Sequence, residues 1–373
     1  MHINTLAVHA GGEPDKETGA VSPPIHMATT FEHGPAGERR SGYEYLREGN
    51  PTQDRLEAML AALEGGEAAL ATASGMAAVA MVLESLPRGS HVLIPDDCYT
   101  GLRVLFAEFL PQQDISCTAV AMADLAAVRA ACKPSTAMIW AETPSNPQMR
   151  IADLAALSGI AKERKAMLAV DNTFATPLLQ RPLELGADVV MHSTTKYFGG
   201  HSDVMGGALV FARKDAFFES VAHRRHITGG IISPFNAWLI LRGARSLPAR
   251  MAWHCRNAKQ IAEFLAEHPA VEVVHYLGLA THPQHELAKR QMSDFGGMMS
   301  FRVKGGREAA LAMAGKLKLI TNATSLGGCE SLIEHRASIE GVNPVSPQNL
   351  LRFSVGLEHV DDLIEDLRQA LAG

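Results

Sequence analysis

Seven short apolar runs, each followed by a segment of helical periodicity, constrain this chain more than any other feature. The runs are AALATA, HVLIP, ISCTAVAM, TAMIWAE, AMLAVD, ADVVMHS and GGALVFA, all before residue 213. Between them, stretches such as PTQDRLEAMLAALEGG and MAAVAMVLESLPRG carry apolar residues at helical spacing and stop at glycine. Strands that are apolar on both faces are covered on both faces. The alternation therefore predicts an α/β fold: a mostly parallel sheet sandwiched by helices.

Three segments follow from this pattern. Residues 1–45 are broken by AGGEP and SPP and are expected to form an N-terminal arm. Residues 46–245 are expected to form the large α/β domain. Near Leu241 to Pro248 the pattern changes to helix (NAKQIAEFLAEH), strands (VEVVHY, GGMMSFRV), helix (REAALAMAGKLK), strand (NLLRFSVGLE) and a terminal helix. Residues 246–373 are thus expected to be a smaller C-terminal α+β domain. In its last helix Val360, Leu363, Ile364, Leu367 and Leu371 share one face.

Charge and cysteine usage exclude several classes. With a formal net charge of -6 and no strong basic cluster, a nucleic-acid surface is not expected, and HRRHI reads as a solvated loop or subunit contact. No stretch is long and apolar enough for a membrane helix, and MHINTLAVHAGGEP lacks the pattern of a signal peptide. The five cysteines are odd in number, dispersed and free of CxxC pairs, which fits a reducing cytoplasm. His192 and His201 lie nine apart without a carboxylate–histidine pattern, so no metal site is expected.

Ligands of α/β sheets bind outside the carboxyl ends of the strands, and four such ends are chemically loaded. Ser74-Gly75-Met76 begins a helix directly after a strand, which suits a phosphate or an ordinary Ser cap. Glu142, Pro144, Asn146 and Pro147 follow the strand TAMIWA and suit a ligand or a turn. Asp171 ends the strand AMLAVD, where it either caps a helix or meets a cationic partner. Ser193, Thr195 and Lys196 follow ADVVMHS, where the lysine is either solvated or chemical. Together, a phosphate cradle, a carboxylate for a pyridinium nitrogen and a strand-end lysine for a Schiff base are what pyridoxal 5'-phosphate requires. A P-loop and a Rossmann fingerprint are excluded by the absence of GxxxxGK[ST] and GxGxxG.

These residues resemble the pyridoxal-phosphate enzymes of cysteine and methionine metabolism, the cystathionine γ-synthase and γ-lyase group. The blocks YEYLREGNPTQDRLE, ASGMAA, ETPSNP, DNTFATP, HSTTKYFGGHSDVMGG, SLGGCESLIEH and LRFSVGLEHVDDLI carry the likeness across nearly the whole chain. The resemblance implies a fold-type-I, aminotransferase-like architecture. It implies a homotetramer, a dimer of dimers with shared active sites, acting on a small-molecule amino acid. Lys196 is implied to bind the cofactor and move protons, and Asp171 to pair with the ring nitrogen. Ser74, Gly75, Met76, Ser193 and Thr195 are implied to hold the phosphate, with Tyr45 and Arg47 reaching the neighbouring chain's phosphate. Tyr99 is implied to stack on the ring and assist the leaving group. Arg352 is implied to grip the α-carboxylate, with Asn146 and Ser325 fixing substrate and cofactor.

Three departures from the family pattern bear on the substrate. Thr324 stands where transsulfuration enzymes usually carry glutamate before SLGG, whereas Glu44 matches their acidic residue and suits a cationic distal group. After SLGGCESLI the family commonly continues HPAxMTH, and this chain reads EHRASIEGVNPVSP, which brings in Glu334, His335 and Arg336. YTGLR replaces YGGT and lacks the cysteine typical of methionine γ-lyases. The expected activity is γ-elimination or γ-replacement on a γ-substituted amino acid. A β-lyase, a methionine γ-lyase, an O-acylhomoserine sulfhydrylase and a canavanine-type γ-lyase are alternatives. A catalytically silent cofactor-binding regulator is the alternative outside enzymology.

Overall fold

The computed structural model describes residues 1–340 and 344–372. All seven predicted apolar runs contain strands: β1 Ala68–Thr72, β2 His91–Pro95, β3 Ser116–Val120, β4 Thr136–Glu142, β5 Met167–Asp171, β6 Val189–His192 and β7 Gly207–Phe211. They form one sheet in the order β1-β7-β6-β5-β4-β2-β3. Strands β6, β5, β4, β2 and β3 are mutually parallel, while β7 runs antiparallel to both β6 and β1. Strands β2, β6 and β7 are buried at every position. Apolar side chains pack on both faces of the sheet: Leu60, Val190 and Val210 belong to one cluster and Val92, Met138 and Met191 to another. Burial on both faces explains why these strands read as continuous apolar runs.

A second sheet contains β8 Val271–His275, β9 Met298–Val303, β10 Thr321–Asn322, β11 Leu332–His335 and β12 Leu350–Ser354, in the order β10-β11-β12-β9-β8. It packs against the helices Leu247–Glu267, Gly306–Lys316 and Val360–Leu371. In the last of these, Val360, Leu363, Leu367 and Leu371 are buried and Ile364 is partly buried. Strands β10 and β11 had no counterpart among the predicted strands: the first is two residues long, and the second is interrupted by Glu334 and His335. The change of pattern near Leu241 to Pro248 coincides with the break between the helices Pro234–Ala244 and Leu247–Glu267.

The first 45 residues are not wholly irregular. Ile3–His9 is a helix that buries Ala7 against the helix Pro51–Glu64 and the start of the second unit. Seven residues give too few turns for a periodic signal; the helix persists because packing supplies what propensity lacks.

Candidate active site

Parallel strands end together on one side of the sheet, and the carboxyl ends of β1, β4, β5 and β6 open onto a cavity of about 840 Å³. Strand β1 turns at once into the helix Gly75–Glu84. Ser74 caps it, its Oγ accepting from the Ala77 N–H at 3.1 Å. The first N–H groups of a helix have no intrahelical acceptor, so those of Gly75 and Met76 are available to a ligand. A Cβ on Gly75 would stand 2.9 Å from Ser193 Cβ. Only glycine lets the Ser193 hydroxyl approach this helix start, and Thr195 lines the same cavity. Hydroxyls and free N–H groups without a carboxylate among them form a donor set for a phosphate.

Asp171 and Glu142 end adjacent parallel strands in register. Asp171 accepts from the Thr173 N–H at 2.9 Å, and burial pushes its carboxyl above the ordinary range. Glu142 accepts from the Tyr99 N–H at 2.9 Å. Burial, and then the charge of Asp171, hold its carboxyl well above the usual range. Two neighbouring carboxyls do not both ionise readily. Asp171 lines the cavity, where a cationic ring nitrogen would favour its anion.

Lys196 stands between the two sheets. Its Nζ donates to Ser325 Oγ at 2.8 Å. Burial, and then the Arg352 guanidinium, lower its ammonium to about 8, against the opposing pull of Glu334. The turn that follows is fixed from the second unit: Arg250 donates to the carbonyls of Tyr197 and Gly243, each at 2.7 Å. Gly200 has φ +73°, and an added Cβ there would stand 2.2 Å from the Arg250 guanidinium. Glycine is required on both counts.

The remaining groups converge from loops and from β12. Arg352 donates to Asn146 Oδ1 at 3.2 Å and to the Ser325 carbonyl at 3.0 Å, and pairs with Glu334 at 2.6 Å. Tyr99 lines the cavity and is 47% exposed, its ring against Gly101, where a Cβ would meet Tyr99 Cε1 at 2.6 Å.

The cavity brings together Ser74, Gly75, Met76 and Tyr99 with Asn146, Asp171 and Ser193. Thr195, Lys196, Ser325 and Arg352 complete the group. Glu44, Tyr45 and Arg47 do not line it. Glu44 pairs with Arg39 at 2.5 Å, and Arg47 donates to the His226 carbonyl at 2.8 Å, with its Cζ 5.7 Å from the Tyr45 ring centre. Sequence reasoning gave no role to Arg250, and none to Glu142 as the neighbour in register with Asp171. The register of β4 and β5 and the packing of the 247–267 helix bring these groups in, and neither leaves a local signal. Thr324, Glu334 and Arg336 of the departing segments line the cavity, whereas residues 341–343 and 373 lie outside the described residues.

The donor set, the strand-end carboxyl and the low-lying lysine fit pyridoxal phosphate, and the chain as a whole matches proteins that use it. Residues 4–372 match the sequence model of the family described as Cys/Met metabolism PLP-dependent enzyme. The chain belongs to that family. It is a pyridoxal-phosphate-dependent enzyme of the group that acts in sulfur amino-acid metabolism, and its cofactor is pyridoxal 5'-phosphate. It is 50% identical to the cystathionine gamma-synthase of Mycobacterium tuberculosis over 98% of this chain and 96% of that protein. It is 44% identical to the cystathionine gamma-lyase of Bacillus subtilis, covering 100% and 99% of the two chains. A crystal structure of cystathionine gamma-lyase from Lactobacillus plantarum complexed with L-serine superposes with a TM-score of 0.96 at 40% identity, covering 100% of this chain and 99% of that one. The fold is that of these pyridoxal-phosphate enzymes, as the resemblance implied.

Proposed function

We propose that this enzyme catalyses γ-elimination or γ-replacement on a γ-substituted amino acid of the cystathionine type. The observation that carries this assignment is the placement of the Lys196 amine, lowered to about 8, between Asp171 and Arg352 in one cavity. Its relatives in the family bear γ-synthase and γ-lyase names at 44–50% identity, which supports the same chemistry.

When bound, pyridoxal phosphate supplies an electron sink conjugated with the substrate Cα. Gly75, Met76, Ser193 and Thr195 would hold its phosphate, Asp171 its ring nitrogen and Lys196 its aldehyde carbon. Arg352 orients the substrate through the α-carboxylate, a bidentate match that the planar guanidinium allows. The Lys196 amine would move protons at the substrate Cα and Cβ in turn, giving up the first to the conjugated cofactor before it takes the second. Its depressed pKa suits both transfers near neutral pH. Tyr99, which lines the cavity, would return a proton to the departing γ-substituent, and the Ser325 hydroxyl would keep Nζ in position between transfers.

The division into an arm (1–45), a cofactor-binding domain (46–245) and a small domain (246–373) belongs to the same proposal. So do a homotetramer with shared sites and a cytoplasmic location. Exposed apolar side chains at the cavity, Phe109 at 53% and Met205 at 58%, support a covering subunit. All five cysteines are free, which supports a reducing compartment. No helix among the described residues is long and apolar enough to cross a membrane.

Product analysis tests the activity. The holoenzyme is incubated with cystathionine, or with an O-acylated homoserine with and without cysteine. Formation of 2-oxobutanoate or cystathionine is expected. Pyruvate from cystathionine as the dominant keto acid would overturn γ-chemistry in favour of β-elimination.

A further inference from the structure

The wall that carries Arg352 sets two guanidinium groups on one carboxylate. Glu334 and Arg352 face each other directly across β11 and β12. Glu334 Oε1 lies 2.6 Å from Arg352 Nη2 and also 2.6 Å from Arg336 Nη1. All three side chains are at most 6% exposed. Arg336 further approaches Glu340 at 3.6 Å, whose carboxylate also accepts from Ser346. Arg336 directly follows His335 in the stretch EHRASIE.

We propose that Arg336 is a positioning residue that draws on the Glu334 carboxylate and so leaves Arg352 able to receive the substrate α-carboxylate. An arginine paired only with a buried glutamate is already neutralised, and an incoming carboxylate meets that glutamate as a like charge. A second guanidinium on the same oxygen divides the Glu334 charge between two cations, with Glu340, 3.6 Å from Arg336, as the fourth charge of the cluster. Burial lowers the Arg352 pKa to about 10, with Glu334 raising it and Arg336 lowering it. Resting on the assignment of Arg352 to the α-carboxylate, the inference makes Arg336 a determinant of amino-acid affinity and not of the chemical step.

The test uses the holoenzyme and L-norvaline, an α-amino acid with no γ leaving group, and reads its Kd from the visible absorbance of the cofactor. Arg336→Met is expected to raise that Kd about tenfold, and the substrate KM with it, while kcat stays within about threefold. Arg336→Lys recovers part of the loss, because a point charge still engages Glu334. The deciding measurement is the double variant. In a Glu334→Gln background, Arg336→Met is expected to change Kd by less than about twofold, since no carboxylate remains to be held. This pair removes both charges together, so the comparison survives if Arg336→Met alone does not fold. An equal loss in both backgrounds, or no loss in either, overturns the proposal. If Arg352→Met binds norvaline as the parent does, the assignment of the α-carboxylate falls, and this inference falls with it.

Discussion

Lys196 Nζ donates to Ser325 Oγ across 2.8 Å, although the two residues are 129 positions apart and belong to loops of different sheets. Ser325 holds this place with φ +85°, a backbone region that a side-chain-bearing residue enters only under constraint. Its carbonyl is meanwhile taken by Arg352 at 3.0 Å. One residue thus ties the amine proposed to move protons to the guanidinium proposed to bind the carboxylate. Ser325→Ala keeps the backbone strain and removes only the hydroxyl. A five- to tenfold fall in kcat is expected, from about 1–1.5 kcal/mol of lost hydrogen bonding. Steady-state kinetics check it, and an unchanged kcat removes Ser325 from the proton path.

In the role proposed for Lys196, capture of the cofactor requires its neutral amine. Its ammonium is lowered to about 8 by burial and by Arg352, so the neutral fraction rises as pH passes through that value instead of near 10.5. Reconstitution of the apoprotein at fixed pyridoxal phosphate is expected to accelerate with pH, with a midpoint near 8. Stopped-flow absorbance measures it. A rate still climbing steeply above pH 9 contradicts the lowered value.

Asp171 lines the cavity in register with Glu142, whose carboxyl is held well above the usual range by burial and by the charge of Asp171. Asp171→Asn retains the shape and the Thr173 contact but cannot hold a ring nitrogen protonated. Turnover is expected to fall on the order of 10²–10³-fold, the scale of losing one preorganised electrostatic partner. Cofactor content and turnover are measured on the same preparation, and full activity in the variant refutes the role.

Arg47 lies outside its own chain's cavity, and in the proposed tetramer it serves a neighbour's phosphate. Lys196→Ala and Arg47→Ala homo-oligomers should each be nearly inactive. Refolding them together should recover activity, because mixed pairs contain one site free of both substitutions. Absence of complementation argues for sites built within single chains.

His254 is fully buried, with Nδ1 2.7 Å from the Val355 carbonyl and its ring edge-on to Tyr197. Burial lowers its pKa to about 4. Between pH 6.5 and 4 the unfolded chain therefore binds a proton that the folded protein refuses, and stability falls on acidification. The full shift is worth roughly 3 kcal/mol at pH 4. Urea midpoints of the parent and of His254→Gln, compared at pH 7 and 5, should show the smaller drop in the variant.

Much of the site was legible before any fold was known. Ser74 to Met76, Asp171 and Ser193 to Lys196 each follow an apolar run, so the rule that ligands bind at strand ends drew them together. The small domain was less legible. Strand β11 carries Glu334 and His335 inside it, and buried polar residues break the alternation by which strands are recognised. The short helix Ile3–His9 was lost because its seven residues are too few to show a period.

By itself the sequence determined the strand–helix alternation, the burial of the strands on both faces and the chemical kinds of residue at their ends. These follow from side chains a few positions apart, where periodicity and turn chemistry operate. The tertiary structure alone decided that β7 inserts antiparallel between β1 and β6, that Glu142 sits in register with Asp171, and that Glu334 and Arg336 share a wall with Arg352. Such contacts depend on strand order and on the docking of distant segments. Their energies arise only once the chain has closed, and no local stretch of residues records them.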